Sequence, residues 1–271
     1  MKNLITRSLT GIVFVIVVIG SVLLGSMTFS AFMLVLSIIG LSEYAKLRPN
    51  TFKTFSDKIS LLLSGIGLFA IVFSVQSGLI KIEYLNLIFV IFLILVIRTL
   101  ILSPNEAISK ISEFIFGLAY VVIPFALMIG FYQNDTMTKL PELLIGFFII
   151  LWFNDVFAYI VGSLIGKTKL YEKISPKKTW EGTIGGTILS VLSAYMLSTK
   201  FLSLNLTNWL VIGFLISIFA TLGDLTESMF KRQANVKDSG NIMPGHGGIL
   251  DRFDGMLLAA PAIYVYLTFI S

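Results

Sequence analysis

The groups in this 271-residue chain best suited to chemistry are four aspartates in its second half. Asp155, Asp224, Asp251 and Asp254 lie inside or at the edge of long apolar runs. A carboxylate there costs several kcal/mol unless it is paired, hydrated or bound to metal. Asp155 sits about 11 residues before Gly166, roughly 16 Å of helix rise from the end of its run and near the middle of a bilayer. It shares one helical face with Tyr159, Gly162 and Gly166. Asp224, Glu227, Ser228 and Lys231 share another face; an i, i+4 pair with Lys231 accounts for Glu227 but not for Asp224. Asp251 and Asp254 project from the first turn of the last apolar helix, with Arg252 between them. Such carboxylates are hard oxygen donors suited to Mg²⁺, which uses one or two of them together with substrate phosphates.

Cationic and glycine-rich segments accompany these acids. Gln233 to Gly248 forms a polar loop with Lys237, Asp238, His246, Gly240, Gly245, Gly247 and Gly248. Its glycines permit positive φ and close approach of the backbone to a ligand, and its N–H groups precede a helix N-terminus that favours negative charge. A second polar loop carries Lys167, Lys169 and Lys173, then Ser175-Pro176-Lys177-Lys178-Thr179-Trp180-Glu181-Gly182. Lys167 and Lys169 fit ordinary positive-inside topology, whereas Ser175 to Gly182 gathers hydroxyls and lysines around a fixed proline. Carboxylates for a metal, cations for phosphates and a Gly-rich cradle point to phosphoryl or nucleotidyl transfer, in which positioning and charge neutralisation do most of the catalysis. The location of the acids within apolar runs points to a lipid as the acidic substrate.

The elements that must hold these groups are membrane helices. The chain is 56% hydrophobic and 13% charged, with a mean hydropathy of +0.92, against roughly 25% charged residues in soluble domains. That excludes a water-soluble globule, and the absence of alternating strands excludes a transmembrane barrel. No cysteine is present, which excludes disulfides, thiol catalysis and Cys-ligated zinc; the single histidine, His246, excludes a His-clustered metal site. Hydropathy predicts an all-α polytopic membrane helix bundle of nine transmembrane helices, at roughly 9–25, 29–43, 59–76, 84–103, 111–132, 142–166, 182–199, 209–230 and 253–270. With that count, 17 of the 20 Lys and Arg residues fall on one side. The N-terminus and the loops after even-numbered spans therefore face the cytoplasm. Lys2, Arg7 and the apolar run behind them mimic a secretory signal, but no A-x-A-like site follows, so the first span reads as uncleaved. No internal repeat is evident. Residues 1–140 are chemically quiet and read as membrane helices for a lipid cavity or subunit contact, with Glu43 and Glu113 as interfacial carboxylates near predicted helix ends. Residues 141–271 read as the catalytic half.

Three stretches carry a family resemblance. Ser228-Met229-Phe230-Lys231-Arg232, then Lys237-Asp238, then His246-Gly247-Gly248-Ile249-Leu250-Asp251-Arg252-Phe253-Asp254 closely resembles the 27-residue signature of the phosphatidate cytidylyltransferases, or CDP-diacylglycerol synthases. Met243 departs from the Leu, Ile or Phe usual at its position but stays apolar. Asp155-x-x-Ala158-Tyr159 and Ser175 to Gly182 are also similar to that family, so the specific resemblance covers about residues 150–256. It implies the reaction CTP plus phosphatidate to CDP-diacylglycerol plus pyrophosphate, dependence on Mg²⁺ with a second cation such as K⁺, and a homodimer. It also implies that Asp224 and Asp251 hold metal; Asp254 and Asp155 are expected either to support those ligands from behind or to serve a second cation. Lys237, Arg252 and His246 join Asp224 and Asp251 as expected catalytic residues. Ser175, Lys177, Lys178, Thr179, Lys231, Arg232, Gly247 and Gly248 are the expected substrate-binding set. The expected partners are CTP, phosphatidate and membrane lipid, with no nucleic acid, and the expected location is the inner (cytoplasmic) membrane with the active site facing the cytoplasm. The nearest rival is a CTP-dependent lipid-alcohol kinase resembling dolichol or phytol kinases. An ion-coupled transporter is the rival outside enzymology, and it would be expected to show repeated halves.

Overall fold

The computed structural model describes residues 2–133, 141–243, 245 and 247–270, with side chains from residue 10 onward except Gln133. Apolar runs fold as helices because in hydrocarbon each backbone N–H and C=O must find its partner within its own segment. The helices are α1 Lys2–Leu23, α2 Ser26–Leu47, α3 Phe55–Gln76, α4 Leu87–Leu102, α5 Ala107–Gly117, α6 Ile123–Gln133, α7 Glu142–Ile165, α8 Trp180–Ser198, α9 Leu206–Gln233 and α10 Leu250–Ile270. A π-helical turn, Leu118–Val122, joins α5 to α6. It falls just before Pro124, which supplies no N–H to the ladder.

A helix stands at each of the nine expected places. Among the described residues, however, only seven segments are long and apolar enough to cross a membrane: α2, α3, the rods 82–102 and 104–132, α7, α9 and α10. The expectation of nine spans is therefore not carried by length and composition alone. α1 is apolar only over Thr10–Leu23, beyond its polar first turns. α8 alternates its apolar residues with Gly, Ser and Thr, which lowers its hydropathy.

The chain forms two compact units that interleave in sequence: Met1–Gly130 with Asp238–Arg252, and Phe131–Lys237 with Phe253–Ser271. The expected linear division after residue 140 differs from this, because the Gly-rich loop packs with the first unit. In that unit, Phe29, Met33, Leu41 and Tyr44 of α2 are buried with Phe114 and Phe125. Gly117 lies so close to the Tyr44 ring that a Cβ there would come within 2.6 Å of it. The Tyr44 hydroxyl donates to Glu113 at 2.5 Å, and Arg48 Nε lies 3.5 Å from the same carboxylate. Thr54 and Asp57 form a capping box at the start of α3. Asp57 also takes Arg98 at 3.1 Å and Lys110 at 3.2 Å. Two of the cations expected on the cytoplasmic side, Arg98 and Lys110, are thus spent on one buried carboxylate.

In the second unit α7, α8 and α9 pack together. α7 and α8 meet through small residues, as membrane helices do: a Cβ on Gly182 would lie 2.7 Å from the Ala158 carbonyl oxygen. Between them the polar loop forms an antiparallel hairpin, β1 Lys169–Tyr171 and β2 Ser175–Thr179, paired Lys169 to Thr179 and Tyr171 to Ser175. Glu181 pins its base, accepting from Lys167 N–H and Thr168 N–H, both at 3.1 Å. Its own backbone N–H, then the Thr168 hydroxyl, then these amides hold the Glu181 carboxyl down to about 2.

Candidate active site

The acidic residues separate into two groups, one in each unit. In the second unit, α9 presents Asp224 and α10 presents Asp254. They are brought together at Gly223, whose missing Cβ lets α9 lie against the Asp254 backbone. Asp254 lies within electrostatic reach of both Asp224 and Asp155, and of Lys178. Lys178 extends from β2 and forms an ion pair with Asp224 Oδ2 at 2.5 Å, while Ser228 donates to Asp224 Oδ1 at 3.2 Å. Asp254 Oδ1 also accepts the Gly255 N–H at 2.7 Å. Asp224 and Asp254 are half-buried and Asp155 is exposed within this chain. The expected face of α7 is divided: Gly162 and Gly166 pack on Thr179, whereas Tyr159 is exposed.

Several expected phosphate ligands already have structural work. The Thr179 hydroxyl caps α8 by accepting the Gly182 N–H at 3.2 Å and is buried. Lys231 pairs with Glu227 of its own helix, the i, i+4 pair expected from the spacing. Arg232 Nε donates to the Ile174 carbonyl at 3.3 Å and so holds the hairpin. Lys177, Lys237 and Arg252 are exposed, and Ser175 is half-buried; among the described residues none of the three cations is in an ion pair. His246 lies outside the described residues.

In the first unit the start of α10 is capped from within the protein. Asp251 Oδ2 accepts the Gly248 N–H at 2.8 Å, the Ser239 N–H at 2.7 Å and the Ser239 hydroxyl at 2.8 Å. Glu43, from α2, accepts the Ile249 N–H at 3.0 Å and the Leu250 N–H at 2.9 Å. The Ser239 hydroxyl also lies 3.1 Å from Glu43 Oε2. The N–H groups expected to cradle substrate phosphate at Gly248 and beyond are thus occupied by two carboxylates of the chain itself. Gly245 and Gly247 do take the expected positive φ, 77° and 83°, and Met243 bridges Gly247.

Glu43 is the residue that sequence reasoning misplaced. It is 1% exposed, not interfacial, because α2 continues past it to Leu47. The usable signal was an acid at the end of an apolar run, in a half whose predicted spans carry almost no interior charge. Beside this cap lies an apolar cavity of about 400 Å³, lined by α1 and α2 residues such as Phe14, Val35 and Ile39 and by Ile242, Met243 and Ile249.

Helices long and apolar enough to cross a membrane, with acids set among them, define the class: a helical integral-membrane protein. The chain belongs to the cytidylyltransferase family, whose model it matches over residues 5–270. It is 36% identical over 266 residues to proteins of Staphylococcus saprophyticus, Staphylococcus haemolyticus and Staphylococcus epidermidis, each named phosphatidate cytidylyltransferase. The match covers 96% of this chain and 98% of each of those proteins.

Proposed function

We propose that the chain joins CTP to phosphatidate, giving CDP-diacylglycerol and pyrophosphate, with the hairpin and the Gly-rich loop on the cytoplasmic side. A phosphatidate oxygen attacks the α-phosphorus of CTP, and the bond from that phosphorus to the β-phosphate oxygen breaks as pyrophosphate leaves. The nucleophile is already an anion, so no strong base is needed; the task is to bring two anions together. Full-length likeness to proteins named for this reaction supports the substrates.

The observation that carries the reading is that Asp224, paired with Lys178, and Asp155 both lie within electrostatic reach of Asp254. Three carboxylates outnumber the lysine set against them, in a setting where unbalanced charge is costly. The donor set fits Mg²⁺. Among the described residues no three such side chains stand close enough together to hold a metal ion, and Mg²⁺ takes one or two carboxylates completed by waters and substrate phosphates. Asp224 and Asp254 would hold that ion, with Asp155 adding negative charge nearby; when bound it neutralises phosphate charge and polarises the phosphorus under attack. Asp251, expected among the ligands, has its Oδ2 taken by Ser239 and Gly248. Lys178 orients Asp224 and presents a cation to an incoming phosphate. Gly223 fixes the distance between α9 and α10, and Ser228 holds Asp224 in one rotamer. Asp251 holds the Gly-rich loop in one arrangement at the start of α10. The apolar cavity beside that loop offers room for part of an acyl chain.

The test is turnover by purified protein in detergent micelles with phosphatidate, Mg²⁺ and radiolabelled CTP, following both products. Equal amounts of CDP-diacylglycerol and pyrophosphate, lost on chelation, are expected. Phosphorylation of a lipid alcohol with release of CDP, and no turnover of phosphatidate, would move the chain to the kinase reading.

A further inference from the structure

We infer that Glu43 is a positioning residue for the transfer reaction, acting through Asp251. This rests on the reading that Asp251 and its loop serve the reaction. Glu43 stands in α2, yet its carboxylate takes the first two amides of α10, Ile249 N–H and Leu250 N–H. The Ser239 hydroxyl, with a single proton, faces Glu43 Oε2 on one side and Asp251 Oδ2 on the other. Glu43 and Asp251 are thus joined through one serine, and each is 8% exposed or less.

The glycines of the loop record the same contact. A Cβ on Gly240 or on Gly248 would strike the Glu43 carboxylate, although neither glycine has positive φ. Their smallness serves the approach of this acid rather than a turn. A buried carboxylate with two backbone N–H donors at a helix N-terminus, and a serine hydroxyl shared with Asp251, is well stabilised electrostatically, so the arrangement is rigid. Rigid support of a loop that serves a reaction is what holds its groups within the narrow range that catalysis tolerates. A helix otherwise remote from the signature thereby sets where Asp251 stands.

The experiment uses the full chain in detergent micelles, with kcat, KM for CTP and thermal midpoint measured for E43Q, E43A, S239A, D251N and E43Q/S239A. Gln keeps the volume of Glu and one carbonyl acceptor, but sets an NH₂ against the other donors. E43Q is expected to lose kcat by about tenfold or more, with KM for CTP within about twofold of wild type and a near-native thermal midpoint. E43Q/S239A is expected to be no slower than E43Q, because both break one chain of bonds. E43A tests complete loss of the clamp; should it fail to fold, E43Q decides. A merely structural Glu43 would lower the midpoint and leave kcat per folded molecule unchanged, which would overturn the inference, as would losses that multiply in E43Q/S239A. An active D251N would overturn the reading of Asp251 itself. An active E43Q beside an inactive D251N would overturn the clamp alone.

Discussion

Lys178 and Lys231 look alike in the sequence, each a lysine near a carboxylate, but burial separates their roles. Lys178 and its partner Asp224 keep 27% and 33% of their side-chain surface, which leaves the lysine accessible to a phosphate. Lys178→Ala is expected to cost at least about tenfold in kcat/KM for CTP, read by steady-state kinetics, with little change in stability. The Lys231–Glu227 pair keeps 14% and 1%. Lys231→Ala would remove the cation paired with a buried carboxylate, a change that costs about 3–5 kcal/mol. The expected outcome is a lower unfolding midpoint, recovered by Glu227→Gln/Lys231→Met; a Lys231→Ala protein of native stability would return that lysine to the phosphate set. Asp224→Asn is expected to abolish turnover while leaving a folded protein, since Asn keeps the shape and loses the charge.

At the scale of elements, the β1–β2 hairpin and α8 are tied by Glu181. Its folded value, about 2, lies below the ordinary 4.5. The tie is therefore complete above pH 4.5 and is lost as the pH falls toward and through 2. Glu181→Gln is expected to speed hydrogen exchange at the Lys167 and Thr168 amides at neutral pH; unchanged protection there would show that the hairpin stands without its anchor. α1 and α2 frame the apolar cavity that reaches Ile242 and Met243. Val35→Trp is expected to raise KM for phosphatidate severalfold and leave KM for CTP unchanged, by filling the space assigned to an acyl chain.

For the whole molecule, α1 and α8 together set how many helices cross the bilayer, and α8 sets the sidedness of the helices that follow it. Because the chain has no cysteine, single cysteines report sidedness without background. Cysteines at Lys53 and Lys173 are expected to label from the cytoplasmic side in sealed vesicles, and those at Lys81 and Lys200 from the opposite side. Lys173 and Lys200 flank α8, so labelling of both from one side would remove that span and invert α9 and α10 relative to the expected topology.

Much of this architecture was legible without coordinates. The helical class follows from apolar runs that have one way to satisfy their backbone in lipid. The Glu227–Lys231 pair follows from a fixed helical spacing, and the family resemblance from residues contiguous in the chain. The gathering of Asp155, Asp224 and Asp254 was foreseen only as a set of costly acids, because no local period relates α7, α9 and α10. The polar loop was read as a loop because its strands are three and five residues long, too short for an alternation to show. The partners of Glu43 lay beyond reach: its bond to Ser239 joins residues 196 apart. Hydropathy and helical spacing are properties of neighbours, so the sequence by itself determined which segments are helices, which faces carry charge, and the family. Tertiary structure decided which acid meets which partner. A buried carboxylate must find its donors wherever packing delivers them, and packing delivered the N-terminus of α10 to a glutamate of α2.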